Sequence, residues 1–388
     1  MGLRTGGMLS TENRWRLVAA LIFAALTVNA SCSQIYTSES AVTAGYFVGS
    51  PPFNDPVYLE EYPDLGRVAL RMDGFGLDQG GLVTAWGDVW KYGSNWNDAL
   101  IYMHTARTLT PPPPPYRYRL LVPYLAGLIF RLTGLSIPVI FLSLNVACTL
   151  LAALLFFEYL GRFHGFSRLV SLLGGCLFVV SRSVTTTLAY PLIDPVTFLW
   201  VVLIFWGVRA KRPVLFIVVS LAGVLTRGVL AIGGVLYLFA NYDRRERLAG
   251  NVPVILVSLV PIAAYMAVHL ALGGTVDEVS SGYHLFRGEL PVFAFRLLRW
   301  SGWVEILEKL LVAFSFLWAG LWNLRRDRFL RLAFLVVGLP VIAAAVLFSS
   351  NIARPVGILY PVMIPLFLIF VQRLLERGSA QIPDGARG

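Results

Sequence analysis

The sequence predicts an all-α polytopic membrane protein: about ten transmembrane helices, both termini cytoplasmic, and a long first external loop carrying interfacial helices. Three observations carry this reading. Apolar residues make up 57% of the 388 and charged residues only 14%, whereas a soluble domain carries about 25% charge. The apolar residues arrive in blocks close to the length that crosses a hydrocarbon core. Alternate connecting segments are basic, as the positive-inside rule demands. Thirty-two Lys and Arg with twenty-two Asp and Glu cannot surface the soluble domains that a chain of this length would form. A soluble enzyme, a disordered protein and a disulfide-stapled secreted domain are thereby excluded.

Arg4, Arg14 and Arg16 precede the first apolar block, Leu17 to Ile35, and hold that end inside. Ala30-Ser31-Cys32 looks faintly like a lipoprotein cleavage site. Asn29, however, stands where such sites carry an aliphatic residue, and the block is read as a span. Residues 36–118 form the long external loop. Glu39, Asp55, Glu60, Glu61, Asp64, Asp73, Asp78, Asp88 and Asp98 make it acidic, and Trp86, Trp90 and Trp96 make it too aromatic for a plain connector. It closes on Pro111 to Pro115, a polyproline stretch extended over about 15 Å. Leu120 to Leu132 is too short for a span, contains Pro123, and ends at Arg131 and Gly134. It reads as an interfacial helix within residues 119–134.

The remaining spans fall at about Ile137–Leu160, Leu169–Thr185, Val196–Val208, Val214–Thr226, Gly228–Ala240, Val252–Leu272, Val304–Trp322, Phe329–Phe348 and Val356–Val371. Residues 273–303 form a second external loop, in which Glu278, His284 and Glu289 are read as solvated. The whole chain is one integral membrane domain. The loop charges test the count. Arg162 and Arg168, then Arg209, Lys211 and Arg212, then Arg244, Arg245 and Arg247, then Arg325, Arg326, Arg328 and Arg331, and finally Arg373 and Arg377 all fall inside. Treating Leu120 to Leu132 as a span would flip every later loop and break the rule throughout. The net charge of +10 then needs no nucleic-acid partner. Cys32, Cys148 and Cys176 have no metal spacing, the four histidines form no ligand pair, and no repeat of solenoid period is visible.

Charges at membrane depth need a reason. Asp194 precedes Pro195 after Tyr190-Pro191-Leu192-Ile193, between two spans on the outer side. It either caps the following helix or faces a shared cavity. Arg227 divides the 28-residue apolar stretch Pro213–Ala240 into two short spans and lies level with Asp194. It either pairs with an acidic neighbour or binds an anionic group. Asp98 stands near the start of an amphipathic helix running toward Tyr102, where capping is the bland alternative. Tyr116-Arg117-Tyr118-Arg119 then heads the interfacial helix, in an aromatic-basic alternation suited to a lipid phosphate or to the headgroup layer.

These elements, in this order and on this side of the membrane, resemble the GT-C superfamily of membrane glycosyltransferases. The resemblance runs over roughly residues 15–240. It rests on an acidic residue opening a first-loop helix (Asp98 to Tyr102), a Tyr-Arg-x-x-x-Pro-x-x-Ala element (Tyr118-Arg119 to Pro123 and Ala126), an Asp-Pro outside the third span (Asp194-Pro195), and Leu225-Thr226-Arg227 two spans later. Arg354-Pro355 with Tyr360-Pro361 is a looser echo. The first loop carries Asn97-Asp98 in place of the common Asp-Glu pair, so Asp88 or Asp73 stays open as the acidic group. No Trp-Trp-Asp signature of oligosaccharyltransferases is present.

The resemblance implies transfer of a sugar from a polyprenyl-phosphate donor to a glycan, lipid or protein acceptor. The reaction would take place at the outer face of a bacterial inner (plasma) membrane, as part of cell-envelope construction. Asp98 would act as the base, and Asp194 would orient the acceptor or a loop arginine. Arg227, Arg354 and Arg117 or Arg119 would neutralise the departing phosphate, with Tyr102 and Tyr190 lining the donor site. No cofactor is called for, and a divalent metal is left open. Two other classes stand beside it: a non-catalytic or flippase-like binder of lipid-linked saccharide, and an unrelated secondary transporter. The last would be expected to show matching halves.

Overall fold

The structure is a computed structural model that describes residues 11–40, 96–111, 116–188, 191–272, 300–348 and 356–380. Among the described residues the chain is helical throughout and contains no strand. In chain order the helices are α1 (Thr11–Ser40), α2 (Trp96–Thr108), α3 (Leu121–Thr133), α4 (Ile137–His164), α5 (Arg168–Val179), α6 (Arg182–Thr185), α7 (Asp194–Arg209), α8 (Pro213–Thr226) and α9 (Ile232–Asn241). There follow α10 (Leu248–Ala271), α11 (Trp300–Phe314), α12 (Arg328–Ala333), α13 (Leu339–Phe348) and α14 (Tyr360–Ala380). Short 3-10 turns at Gly228–Ala231, Ser315–Asn323 and Gly357–Leu359 and a π turn at Phe334–Gly338 join some of them.

Local chemistry sets the boundaries. Ser136 and Pro138 open α4, and Gly165 closes it at φ 69, in the left-handed region that glycine enters without cost. Gly134 ends α3 in the same way, its N–H donating to Phe130 O at 2.8 Å. Ser167 Oγ accepts from Val170 N at the start of α5, and Asp327 Oδ1 accepts from Leu330 N at the start of α12. The block expected as one span over Leu169–Thr185 is divided at Val180 and Ser181. Ser181 Oγ donates to Phe178 O at 2.6 Å, and Thr185, Thr186 and Thr187 all bond back to carbonyls three or four residues earlier. Such back-bonding competes with a straight helix. Helix α1 extends to Ser40 and α11 starts at Trp300, so both reach into segments read from sequence as loops.

Among the described residues, four segments are long and apolar enough to cross a membrane: Ile137–His164, Leu248–Ala271, Arg328–Ala345 and Gly357–Leu374. Large apolar side chains face outward on several helices, with Val214 73%, Leu248 67% and Leu21 63% exposed. Outward apolar surface on this scale fits a hydrocarbon surround and not water. Among the described residues the chain is mostly helical, with the character of a membrane protein.

Inside lie two cores. The larger gathers Phe156, Phe157, Phe178, Phe198, Phe216 and Tyr360 along the bundle. The smaller packs Tyr102, Met103 and Ala106 of α2 against Val122 and Ala126 of α3, Ile137 and Phe141 at the start of α4, and Leu192 and Ile193 just before α7. The first half of α3 therefore lies at one end of the bundle, beside the start of α4. Helices α2 and α3 meet closely at Gly127, where a Cβ would collide with the Ala106 carbonyl oxygen.

Basic groups collect at the opposite end. Arg16 bonds Glu158 at 2.8 Å and Glu12 at 2.9 Å, and Arg168 reaches the same two carboxylates at 3.3 Å and 3.0 Å. Arg209 donates to Phe163 O at 2.8 Å, and Arg373 to Asn323 Oδ1 at 2.9 Å. Asp327 ties the start of α12 to two other helices, lying 3.3 Å from His164 Nδ1 and 3.9 Å from Arg209 Nη2. Burial pushes the Asp327 carboxyl up, but the His164 hydrogen bond, the Leu330 amide and the Arg209 charge together bring it down to about 2.

Two expectations follow for stability. Gly127→Ala forces α2 from α3 against an unyielding backbone atom and lowers stability by about 1–3 kcal/mol, read as a fall in thermal midpoint in detergent. Because its folded value is depressed, Asp327 contributes stability that is whole above 3.8 and is lost as pH falls to about 2. An acid melt over that window should be shallower in Asp327→Asn than in the parent chain.

Candidate functional site

The site is built where α7 begins and α8 ends. Asp194 is the first residue of α7 and Pro195 follows it, a pairing suited to a helix start. Ile193 occupies the N-cap position, and Asp194 is the first helical residue. The carboxylate is fully buried, and Oδ1 accepts from Arg227 Nη1 at 2.6 Å. A buried carboxylate is tolerated at such a place only with a charge-assisted partner.

Arg227 is placed by a break in the backbone. Between α8 and the Gly228–Ala231 turn it takes an extended conformation (φ −156, ψ 112), its N–H donating to Gly223 O at 2.7 Å and its carbonyl accepting from Leu230 N at 3.0 Å. Its side chain stays 15% exposed while that of Asp194 is sealed. The guanidinium is thus the solvent-facing member of the pair. Thr226 braces the break, its hydroxyl donating to Ala222 O at 2.9 Å and accepting from Trp200 Nε1 on α7 at 2.9 Å. A Cβ added at Gly228 would collide with the ring of Tyr265 on α10.

The aromatic-basic segment 116–119 is bound to the same corner. Leu120 N donates to Leu225 O at 3.0 Å, which fixes the head of α3 beside the end of α8. Arg119 Nη1 donates to Tyr102 Oη at 2.5 Å, and its guanidinium stands 5.0 Å over the Tyr116 ring. Tyr102 itself is fully buried and meets Tyr116 edge-on at 5.9 Å. Arg117 Nη1 donates to Leu272 O at the end of α10 at 3.2 Å. Tyr118 stacks on His269 at 4.0 Å between ring centroids, with Oη 3.3 Å from Nε2. The partners of Arg117 and Arg119 in these bonds are neutral.

No family model matches the chain, and no curated protein or solved structure matches it.

Of the residues singled out in the sequence, Asp194 and Arg227 are in contact, and Arg119 is joined to Tyr102. Arg117 lies on the same segment as Arg119. Asp98 falls in the first turn of α2, one turn before Tyr102. Tyr190, Arg354, Asp73 and Asp88 lie outside the described residues. Among the described residues, no group of three or more His, Cys, Asp or Glu could hold a metal ion. Trp200, Tyr265 and His269 were not legible as parts of the site. The signal for Trp200 is that a half-buried indole N–H needs an acceptor, and Thr226 supplies one.

Removing one member of the pair strands the other. Arg227→Gln should cost roughly 3–5 kcal/mol by leaving a buried carboxylate uncompensated. The double variant Asp194→Asn/Arg227→Gln should recover most of that loss. Thermal midpoints of the two single and the double variants measure the coupling, and simple additivity would refute it.

Proposed function

We propose that the chain is a membrane glycosyltransferase of the GT-C kind, moving a sugar from a polyprenyl-phosphate donor to an acceptor at the outer face of the membrane. In this reading the bundle crosses the membrane ten times, with both termini and the basic end in the cytoplasm. Helix α3 lies in the outer interface. The support for this threading is the segregation of charge: the arginines of the predicted inner loops gather at one end, and the head of α3 is bonded to the other.

One observation carries the functional reading. A buried Asp-Arg pair is bonded at the same corner as an arginine-bearing segment, and the three sequence elements concerned are those that resemble the superfamily. Glycosyl transfer from a lipid phosphate develops negative charge on the departing phosphate, and it needs a base at the acceptor hydroxyl. Arg227, held by Asp194 and partly exposed, supplies fixed positive charge, as do Arg117 and Arg119. A guanidinium suits this task because it offers a planar fork of donors to phosphate oxygens. Asp194 orients Arg227 and does not itself reach the surface. Asp98 takes the acceptor proton as the new bond to the anomeric carbon forms and the bond to the phosphate oxygen breaks. Arg354 and Tyr190 complete the donor site in this proposal.

Membranes carrying the chain should release polyprenyl phosphate from a polyprenyl-phosphate sugar. Asp98→Asn should slow that release by about 10²–10⁴-fold while donor binding persists. Unchanged turnover in Asp98→Asn removes the base from the proposal, and absence of turnover in the parent chain with every donor tried favours the non-catalytic binding class.

A further inference from the structure

At the basic end, remote from the Asp194–Arg227 pair, two adjoining cavities of about 610 Å³ and about 770 Å³ open between the α9–α10 turn and the start of α12. They share Phe239, Tyr242, Arg244, Arg328 and Leu332 as walls. Each is of the size that accepts a small ligand. Their linings differ in kind. The first adds Arg209, Lys211 and Arg245 to the shared arginines, with Asp243 as its acidic residue. The second adds Leu238, Ile255 and Leu335, with Arg331 at its edge. Leu335 is 52% exposed, so the apolar cavity continues onto the outward apolar surface.

The backbone that carries the basic residues is fixed, while the side chains of Lys211, Arg244, Arg245 and Arg328 are exposed at the cavity mouth. Asn251, 1% exposed, clamps the turn by accepting from Asp243 N at 2.9 Å and donating to Asp243 O at 2.8 Å. Asp243 Oδ1 in turn accepts from Arg245 N at 2.9 Å, which sets the direction of the chain through Arg244 and Arg245. Across the cavity, Asp327 caps α12 and holds Arg328 in its first turn. Arg209 is anchored on Phe163 O and over the Phe329 ring at 4.7 Å. Its Nε is buried with no hydrogen-bond partner among the described residues. Arg209 has Asp327 at 3.9 Å, whereas among those residues Lys211, Arg244, Arg245, Arg328 and Arg331 have no carboxylate within ion-pair distance. Several cations around one cavity repel one another and attract an anion.

We infer that this cavity pair binds an anionic glycerophospholipid: its phosphate lies among Arg209, Lys211, Arg244 and Arg328, and its acyl chain follows Leu238, Ile255 and Leu335 outward. Charge complementarity selects the headgroup, and the continuous apolar wall selects a lipid over a soluble phosphate. The inference is independent of the glycosyltransferase reading, because it uses none of the residues of that site.

The test is lipid retention by the purified full chain, measured by native mass spectrometry from mixed micelles of phosphatidylglycerol and phosphatidylcholine with the same acyl chains. Phosphatidylglycerol should be retained selectively, and glycerol 3-phosphate should not displace it. Arg244→Ala and Arg328→Ala should each weaken retention about fivefold, and the double variant about 25-fold. Arg14→Ala, which removes an exposed charge on α1, should leave it unchanged. Arg244→Lys with Arg328→Lys should restore most of the retention, which separates loss of charge from loss of fold. Equal retention of the two lipids would overturn the inference. So would displacement by glycerol 3-phosphate, or a loss in Arg14→Ala as large as that in Arg244→Ala.

Discussion

A carboxylate with no access to water is the constraint around which one end of this bundle is arranged. Asp194 is fully buried, and its desolvation is offset by a guanidinium 2.6 Å away. Bringing that guanidinium into place requires α8 to stop at Thr226 and the backbone to extend for one residue. Stopping α8 there exposes the Leu225 carbonyl, which is satisfied by Leu120 N at the head of α3. Seating α3 there brings α2 with it, because Gly127 allows backbone contact with Ala106. One ion pair thus sets a chain of dependencies through four helices.

Much of this was readable beforehand. The apolar blocks located the helices because a membrane surround leaves few alternatives to a helix. Arg227 was conspicuous because a charge inside a long apolar run is costly, and the same cost pointed to Asp194. The hydrogen bond joining them was not legible, since 33 residues separate them and sequence carries no distance. Hydropathy also missed the interruption at Val180 and Ser181, which comes from hydroxyls bonding to their own backbone while the side chains around them stay apolar. The role of His269 was hidden for a similar reason: a histidine inside α10 gains meaning only when Tyr118 arrives to stack on it.

Charge is divided unequally between the two ends of the molecule. One end carries a pair with a sealed carboxylate beside arginines held on neutral acceptors. The other carries an open network in which Glu12 and Glu158 each meet two arginines. Exposed networks of this kind add little stability, and their use is to fix which helix termini share an interface. The buried pair works differently, because its strength depends on the exclusion of water.

The brevity of α8 has a further consequence. Fourteen residues rise about 21 Å, whereas a hydrocarbon core is about 30 Å thick. In the proposed threading, with Arg212 at the basic boundary, Arg227 stops roughly 8 Å short of the far boundary. Either the bilayer thins around this corner or a wet recess descends to it from the headgroup layer. In both cases a phosphate reaching Arg227 in the proposed function would sink below its neighbours and shed part of its hydration shell. An amphiphile already resident in that leaflet makes this descent sideways with its tail still in hydrocarbon, an approach closed to a soluble anion.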